Sequence, residues 1–319
     1  MNALKVIKIA PRGYCFGVIS ALNIVQDAAK DESLPRPIYV LGMIVHNEHI
    51  TKAIDDLGVI TIDDKTKTRE ELLEQIDAGT VIFTAHGIAP AVKQKAMDKG
   101  LTVIDASCKD VIKTHVLMKE HIDAGYDVIY IGKHGHPETE GALGVDKDHI
   151  HLLSKADELE KLALTNEKII ITNQTTMSLW DVYSLSEKIK EKFPQATFIK
   201  EICNATQVRQ EAVANQAGAA DLTLVVGDPH SNNTARLSQI SIERAHTPSH
   251  RIASVADIDL NWLKEIETVA VTAGASTPTA VTKEVIEFLE AYDPKDETTW
   301  DTTSQITSDK VLFLSLIHI

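Results

Sequence analysis

The stretch Val6-Ile7-Lys8-Ile9-Ala10-Pro11-Arg12-Gly13-Tyr14-Cys15 passes from a β-branched run to a cysteine, and an amphipathic segment follows it. The same layout recurs at Cys108 and Cys203, which lie 93 and then a further 95 residues along the chain. A β-branched run predicts a strand, and an apolar face with a period near 3.6 residues predicts a helix. Each cysteine is therefore predicted to lie in the strand-to-helix turn of a repeated unit.

Two polar loops follow each cysteine, at the ends of further β-branched runs. The distance in sequence from the cysteine to each loop is similar in all three cases. The first loop lies 28 to 31 residues after the cysteine, and the second lies 67 to 73 residues after it. The residues at these positions are His46, His136 and Ser231 in the first loop, and His86, Thr175 and Ser276 in the second.

This alternation of strand and helix patterns is typical of a mainly parallel α/β protein. Ligands of open parallel sheets bind at the carboxyl ends of the strands. We therefore predict three similar α/β units with mainly parallel sheets, in a pseudo-threefold arrangement around a central cleft that the polar loops face. The predicted units are residues 1–100, 101–195 and 196–292, and residues 293–319 are predicted to form a tail outside the fold.

Composition excludes several classes of function for this chain of 319 residues. A net charge of −14 opposes a nucleic-acid partner, which requires a broad basic face. No apolar run approaches the length of a membrane span, and the N-terminus lacks a secretory pattern, so we expect a cytoplasmic protein without membrane contact. Disulfides are disfavoured there, so the cysteines are expected to be buried, to react or to bind metal.

Thiols at helix N-termini are favoured as thiolates, which suits a metal ligand or a nucleophile. Three thiolates can hold zinc with a fourth ligand, or an iron–sulfur cluster with one iron lacking a protein ligand. The imidazole, hydroxyl and amide donors of the polar loops indicate an anion site. Glu138 lies among histidines and is a candidate proton donor, a role for which Glu140 could compete.

Seven motifs, in order from about residue 5 to 290, resemble the LytB/IspH family of 4-hydroxy-3-methylbut-2-enyl diphosphate reductases. They are Gly13-Tyr14-Cys15-Phe16-Gly17-Val18, Thr84-Ala85-His86-Gly87, Asp105-Ala106-Ser107-Cys108, His134-Gly135-His136-Pro137-Glu138, Gln174-Thr175-Thr176, Ile202-Cys203-Asn204-Ala205-Thr206 and Thr272-Ala273-Gly274-Ala275-Ser276-Thr277-Pro278.

The resemblance implies that the three cysteines bind a [4Fe-4S] cluster whose fourth iron is open to the substrate hydroxyl. It further implies that Glu138 relays protons, and that Thr175 orients Glu138 and the substrate oxygen. The expected catalytic residues are Glu138, Thr175 and His136. The expected substrate-binding residues are His46, His86, His136, Thr175, Ser231, Asn232, Asn233 and Ser276. Asn232 departs from the serine of many relatives, and its side chain is expected to alter the contacts there without loss of activity.

The resemblance implies a reductive dehydroxylation of an allylic diphosphate with two electrons and two protons. The products are isopentenyl and dimethylallyl diphosphate, at the last step of the methylerythritol phosphate pathway. No second cofactor motif occurs, so an external electron donor such as flavodoxin or ferredoxin is expected, with the enzyme a monomer or a weak homodimer. A non-redox [4Fe-4S] hydro-lyase and a protein with a structural metal are the alternatives.

Overall fold

Every strand pairing in the computed structural model, which describes residues 4–313, is parallel. Within those residues, twelve strands form three four-stranded sheets. The predicted α/β fold with three similar, mainly parallel units is therefore confirmed. The strands are β1 (Lys5–Lys8), β2 (Ile38–Leu41), β3 (Ile60–Ile62), β4 (Thr80–Phe83), β5 (Thr102–Asp105), β6 (Asp127–Ile131), β7 (Ile150–Leu153), β8 (Ile169–Asn173), β9 (Thr197–Phe198), β10 (Leu222–Val226), β11 (Ser249–Ile252) and β12 (Thr268–Ala273).

α-Helices connect most successive strands, as is usual for parallel pairing, but the connections from β7 to β8 and from β11 to β12 contain only 3-10 helices. The α-helices of the described residues are α1 (Phe16–Lys30), α2 (Glu48–Asp55), α3 (Arg69–Leu73), α4 (Pro90–Asp98), α5 (Lys109–Asp123), α6 (Pro137–Leu143), α7 (Leu179–Lys192), α8 (Asn204–Gln216), α9 (Asn232–Glu243), α10 (Thr279–Ala291) and α11 (Ser308–Leu312). Pro90 opens α4 and Asn47 caps α2, as the sequence predicts; the Asn47 side chain accepts a hydrogen bond from the N–H of Ile50 (3.2 Å).

The three sheets share one strand order. The first sheet has the order β3-β2-β4-β5, the second β7-β6-β8-β9 and the third β11-β10-β12-β1. In each of these orders the last strand is an edge strand that leads into a cysteine. It is β5 before Cys108, β9 before Cys203 and β1 before Cys15. The repeat that the cysteine spacing predicts is thus visible in the sheet topology.

The sheets do not coincide with the predicted ranges 1–100, 101–195 and 196–292. Strands β5 and β9 pair with the strands that precede them in sequence, and β1 pairs with β12, as Lys5 opposite Thr268 shows. Backbone hydrogen bonds decide which sheet a strand joins, and the side chains of an edge strand do not show which neighbour it pairs with. The pattern of strands in the sequence therefore predicts the repeat, but it does not predict which sheet each edge strand joins.

Two compact units divide the described residues. Unit 1 comprises those within 1–19, 46–56 and 204–319 and contains the third sheet. Unit 2 comprises those within 20–45 and 57–203 and contains the first and second sheets.

Helices cover the sheets through apolar side chains at helical spacing. In unit 1, Val281, Val285 and Leu289 of α10 pack with buried residues of β10 and β12. In unit 2, α7 packs in the same way on β8. Such fully buried strands are typical of parallel sheets, and they hold the strand-end loops on a rigid scaffold. From residue 4 to residue 313, no helix is long and apolar enough to cross a membrane.

The prediction that the C-terminal tail lies outside the fold is wrong for residues 293–313. Val311 of α11 is buried, and its carbonyl accepts a hydrogen bond from the hydroxyl of Tyr14 (3.0 Å). Trp300 and Ile306 pack against the core of the third sheet. The tail packs mainly as irregular chain, which leaves no helical or strand period in the sequence. Residues 314–319 of the predicted tail lie outside the described residues.

Candidate active site

Each of the three cysteines donates a backbone hydrogen bond of the same type. In unit 2, the N–H of Cys108 donates to the carbonyl of Ala85 (3.0 Å), and that of Cys203 donates to the carbonyl of Thr175 (3.2 Å). In unit 1, the N–H of Cys15 donates to the carbonyl of Ala275 (3.1 Å). Each acceptor lies in the loop after the third strand of a sheet, so the three turns are equivalent, as the sequence predicts.

Each cysteine also directly precedes a helix. Cys15 precedes α1, Cys108 precedes α5 and Cys203 precedes α8, and all three residues are half-buried. The partial positive charge of a helix N-terminus favours a thiolate over a thiol. A thiolate of this kind is a usual ligand of iron–sulfur clusters and of zinc.

Glu138, in the first turn of α6, binds Thr175 through both of its carboxylate oxygens. Oε1 accepts a hydrogen bond from the N–H of Thr175 (2.7 Å), and Oε2 accepts one from its hydroxyl (3.1 Å). Glu138 is 2% exposed and Thr175 is 4% exposed, so the pair is shielded from water. The structure therefore shows a direct contact between the two residues that the family resemblance links.

Burial raises the pKa of Glu138 to about 7, because a carboxylate loses hydration in the interior. The two hydrogen bonds from Thr175 stabilise the carboxylate and oppose this rise, whereas the negative charge of Asp110 adds to it. A pKa near neutrality lets Glu138 both hold and release a proton at physiological pH, as a general acid must.

His136 and His86 form an edge-to-face pair in unit 2, with ring centroids 5.5 Å apart. His136 caps α6, and its Nδ1 accepts a hydrogen bond from the N–H of Glu138 (3.1 Å). Since Nδ1 is an acceptor, the ring carries its proton on Nε2 and can donate a hydrogen bond from that atom. The Nδ1 of His86 lies 3.3 Å from the hydroxyl of Thr84.

Glu140 does not share the environment of Glu138. Its Oε1 accepts a hydrogen bond from the N–H of Arg69 (2.7 Å), at the start of α3. Arg69 is itself buried and forms an ion pair with Asp63. Glu140 therefore joins α6 to α3, and Glu138 alone of these two carboxylates has the setting of a proton donor.

Gln174 is a positioning residue to which the sequence analysis assigns no role. Its side chain is fully buried, and Oε1 accepts hydrogen bonds from the N–H of Lys133 (2.9 Å) and the hydroxyl of Thr139 (3.3 Å). It thereby ties the loop that carries Thr175 to the loop and helix that carry Glu138. The sequence signal that could have identified Gln174 is its position next to Thr175 in a motif at the end of a strand.

In unit 1, the N-terminus of α9 presents predicted substrate-binding residues. Ser231 caps the helix by accepting a hydrogen bond from the N–H of Thr234 (3.3 Å), and Asn232 and Asn233 form its first turn. Asn233 is 5% exposed, and within residues 4–313 neither atom of its amide has a hydrogen-bond partner. Leaving a buried amide unpaired is costly, and a helix N-terminus binds anions, so this turn suits an anionic ligand.

His46 lies just before the N-cap of α2. Hydrogen bonds with two other loops of unit 1 hold this segment in place. The hydroxyl of Ser276 donates to the carbonyl of His46 (3.0 Å). The carboxylate of Asp228 accepts hydrogen bonds from the N–H groups of Glu48 (3.2 Å) and His230 (2.7 Å). Asp228 is thus a second positioning residue that sequence reasoning missed, although its loop was identified.

The predicted site residues divide between the two units. Unit 1 contains Cys15, His46, Ser231, Asn232, Asn233 and Ser276, and unit 2 contains His86, Cys108, His136, Glu138, Thr175 and Cys203. Within unit 2 the structure brings together Glu138, Thr175, His136 and His86, and within unit 1 it joins Ser276 to His46.

Proteins similar to this chain are found both by sequence and by structure. A protein of Bacillus cytotoxicus named 4-hydroxy-3-methylbut-2-enyl diphosphate reductase is 60% identical over 97% of this chain and 98% of its own. A protein of the same name from Geobacillus kaustophilus is 57% identical over 97% of each chain.

Among solved structures, the E-1-hydroxy-2-methyl-but-2-enyl-4-diphosphate reductase of Plasmodium falciparum matches with a TM-score of 0.83 and 32% identity. The match covers 92% of this chain and 90% of that one. The family described as LytB protein matches residues 6–290. The chain therefore belongs to the LytB family.

Proposed function

We propose that this chain is a reductase that removes the hydroxyl group of 4-hydroxy-3-methylbut-2-enyl diphosphate, at the last step of the methylerythritol phosphate pathway. The substrate takes up two electrons and two protons, its allylic C–O bond breaks, and the oxygen leaves as water. The products are isopentenyl and dimethylallyl diphosphate. The names of the relatives support this reaction. The structural observation that carries the proposal is the buried Glu138 carboxyl with a pKa of about 7.

Cys15, Cys108 and Cys203 would hold a [4Fe-4S] cluster with one iron lacking a protein ligand. The donor set fits, because each thiol lies at a helix N-terminus and each backbone N–H is fixed by the same type of hydrogen bond. When bound, such a cluster supplies electrons and a Lewis-acidic iron for the substrate oxygen.

The chain's own residues would bind and orient the diphosphate. The N–H groups at the start of α9 and the amide of Asn233 can donate to phosphate oxygens. His46, His86, Ser231, Asn232 and Ser276 are the further proposed contacts. Binding energy gained at the diphosphate would fix the position of the remote hydroxyl group, which lowers the entropic cost of reaction.

Glu138 would protonate the departing oxygen. The carboxyl donates its proton when it is neutral, and the Thr175 hydroxyl then stabilises the carboxylate that remains. The Nε2–H of His136 would donate a further hydrogen bond to the substrate. Burial of Glu138 and Thr175 keeps bulk water from competing for these donors.

On the sequence alone, we further propose that an external one-electron carrier such as flavodoxin or ferredoxin reduces the enzyme. Two electrons are needed in each turnover, and the sequence contains no motif for a second cofactor. From the sequence we also propose a cytoplasmic location and a monomer or a weak homodimer.

Anaerobic purification, iron analysis and turnover with a chemical reductant test the proposal. About four irons per chain and consumption of the hydroxylated diphosphate are expected. A colourless protein that contains zinc would exclude the cluster. A protein with the cluster that does not reduce the substrate would instead favour the hydro-lyase alternative.

The pH dependence of turnover tests the role of Glu138. Turnover should fall above about pH 7, where Glu138 loses its proton, and Glu138→Gln should abolish it while the cluster spectrum persists. Thr175→Val removes a donor that stabilises the carboxylate, so the pKa of Glu138 should rise and the falling limb should move to higher pH. Thr175→Ser keeps the hydroxyl and is the matched control. A limb that stays in place in Thr175→Val would show that another group titrates.

A further inference from the structure

Arg209 of α8 has the largest side chain among the fully buried residues of the range 4–313, and it is 2% exposed. Its guanidinium binds backbone carbonyls on two segments of unit 1. Nη2 donates to the carbonyls of Gly13 (2.8 Å) and Tyr14 (3.2 Å), and Nη1 donates to the carbonyl of Ala205 (2.9 Å). A single side chain thus binds the two residues that precede Cys15.

The end of β12 and the loop after it also hold the segment around Gly13 and Cys15. The N–H of Gly13 donates to the carbonyl of Ala273 (3.4 Å), and the N–H of Cys15 donates to the carbonyl of Ala275 (3.1 Å). Gly13 has a φ of +72°, a conformation that other residues rarely adopt. The end of the third sheet therefore satisfies the N–H groups of this loop, and Arg209 satisfies its carbonyl groups.

We propose that Arg209 is a positioning residue that fixes the Cys15 loop in the conformation that presents the thiolate. The role in cluster binding rests on the proposed function, whereas the anchoring of the loop does not. Without the guanidinium, the carbonyls of Gly13 and of the buried Tyr14 lose this donor. The loop would then open more often, and a ligand of the cluster would open with it.

The planar fork of arginine suits this task better than an ammonium group. Arginine offers five N–H donors in fixed directions, so it can bind carbonyls on two segments at the same time. Lysine has a shorter reach and loses more hydration when buried. Arg209→Lys therefore keeps the charge but should lose most of the anchoring.

Hydrogen exchange of the iron-free protein tests the anchoring without a cluster. In Arg209→Lys and Arg209→Gln, the amides of Gly13 and Cys15 should exchange at least about tenfold faster, while β6 and β8 in unit 2 keep their protection. Arg36→Gln is the matched control, because Arg36 also donates from Nη2 to two carbonyls, of Ala29 (2.9 Å) and Asp31 (3.0 Å), but is exposed.

Loss of iron to a chelator under anaerobic conditions gives the second measurement. Both Arg209 variants should lose iron at least about tenfold faster than the parent protein, and Arg36→Gln should match the parent. Unchanged exchange at Gly13 and Cys15 in Arg209→Lys, or an equal rise over the whole chain in that variant, would overturn the proposal. A parent protein that binds no iron would contradict the proposed function while the exchange result still decides the anchoring.

Discussion

At the scale of single residues, Glu138 occupies a site that is unfavourable for its charge. Burial raises its pKa more than the two hydrogen bonds from Thr175 lower it. Natural proteins retain such groups where function requires them, at a cost to stability. The environment of Glu138 is therefore consistent with the proton-donating role proposed for it and costs the fold stability.

Glu138→Gln should make the protein more stable at neutral and alkaline pH. The folded state holds the Glu138 proton up to about pH 7, whereas the unfolded chain releases it near pH 4.5. Between these values the unfolded state binds fewer protons, so the stability of the parent protein falls as pH rises. The variant escapes a cost that reaches about 3 kcal/mol above pH 7 and vanishes below pH 4.5.

Urea unfolding of both proteins between pH 4 and pH 8 measures this difference. Glu140→Gln, on the same helix, is the control: glutamine keeps an oxygen that can accept the hydrogen bond from the N–H of Arg69, but the negative charge that stabilises the Arg69 guanidinium is lost. A gain in stability for Glu138→Gln that stays constant with pH would contradict the assignment.

Sequence alone could not separate Glu138 from Glu140. Both are acids in the first turn of one helix, a position that suits any carboxylate. Their partners, Thr175 and Arg69, lie 37 and 71 residues away in sequence, and only the fold brings them into contact. The family resemblance points to Glu138, and the tertiary contacts give a physical reason to prefer it.

At the scale of elements, the helix N-termini are the structural units from which the site is built. The sequence predicts them well, because β-branched runs that change to an apolar face of period 3.6 mark each turn. Caps such as Asn47 follow from residue type. The positions of Asp228 and Gln174 as anchors do not follow, because each acts through long-range hydrogen bonds to backbone atoms.

Asn233→Ala should weaken substrate binding without loss of stability. Within the described chain the amide is buried without a partner, so its removal costs no hydrogen bond in the free protein. If the amide binds the diphosphate, KM should rise about tenfold or more, since a hydrogen bond to a charged group contributes about 1.5–3 kcal/mol.

Steady-state kinetics and thermal unfolding of the same preparation separate the two effects. Thr68→Ala is the control: it removes the capping box of α3 and should cost about 1 kcal/mol of stability without a change in KM. An Asn233→Ala variant that loses stability but keeps its KM would mean that the amide serves the fold.

At the scale of the whole molecule, the acidic chain still has helix N-termini whose N–H groups suit an anionic ligand. A net charge of −14 sets the long-range field, but N–H groups at a helix end act over a few ångströms. The cysteine spacing predicts three equivalent units, and the shared strand order confirms them. The pairing of β1 with β12 could not be predicted, because the paired residues lie at opposite ends of the chain.

A chain that ends at residue 292 should be less stable than one that ends at residue 313. The shorter chain loses the buried side chain of Val311 and the packing of Trp300 and Ile306 on the core of the third sheet. Burial of one such side chain contributes about 1.5–3 kcal/mol, so a loss of about 3 kcal/mol or more is expected. The hydroxyl of Tyr14 also loses its acceptor, the carbonyl of Val311.

Hydrogen exchange locates the effect of this truncation. Amides of β1 and β12 in unit 1 should exchange faster in the chain that ends at residue 292, and those of β6 and β8 in unit 2 should not change. The chain that ends at residue 313 keeps every contact described above and is the reference for this comparison. Equal protection of β1 and β12 in both truncated chains would show that residues 293–313 do not support the third sheet. Because Tyr14 directly precedes Cys15, a confirmed loss would also mean that the C-terminal segment helps to hold a proposed cluster ligand in place.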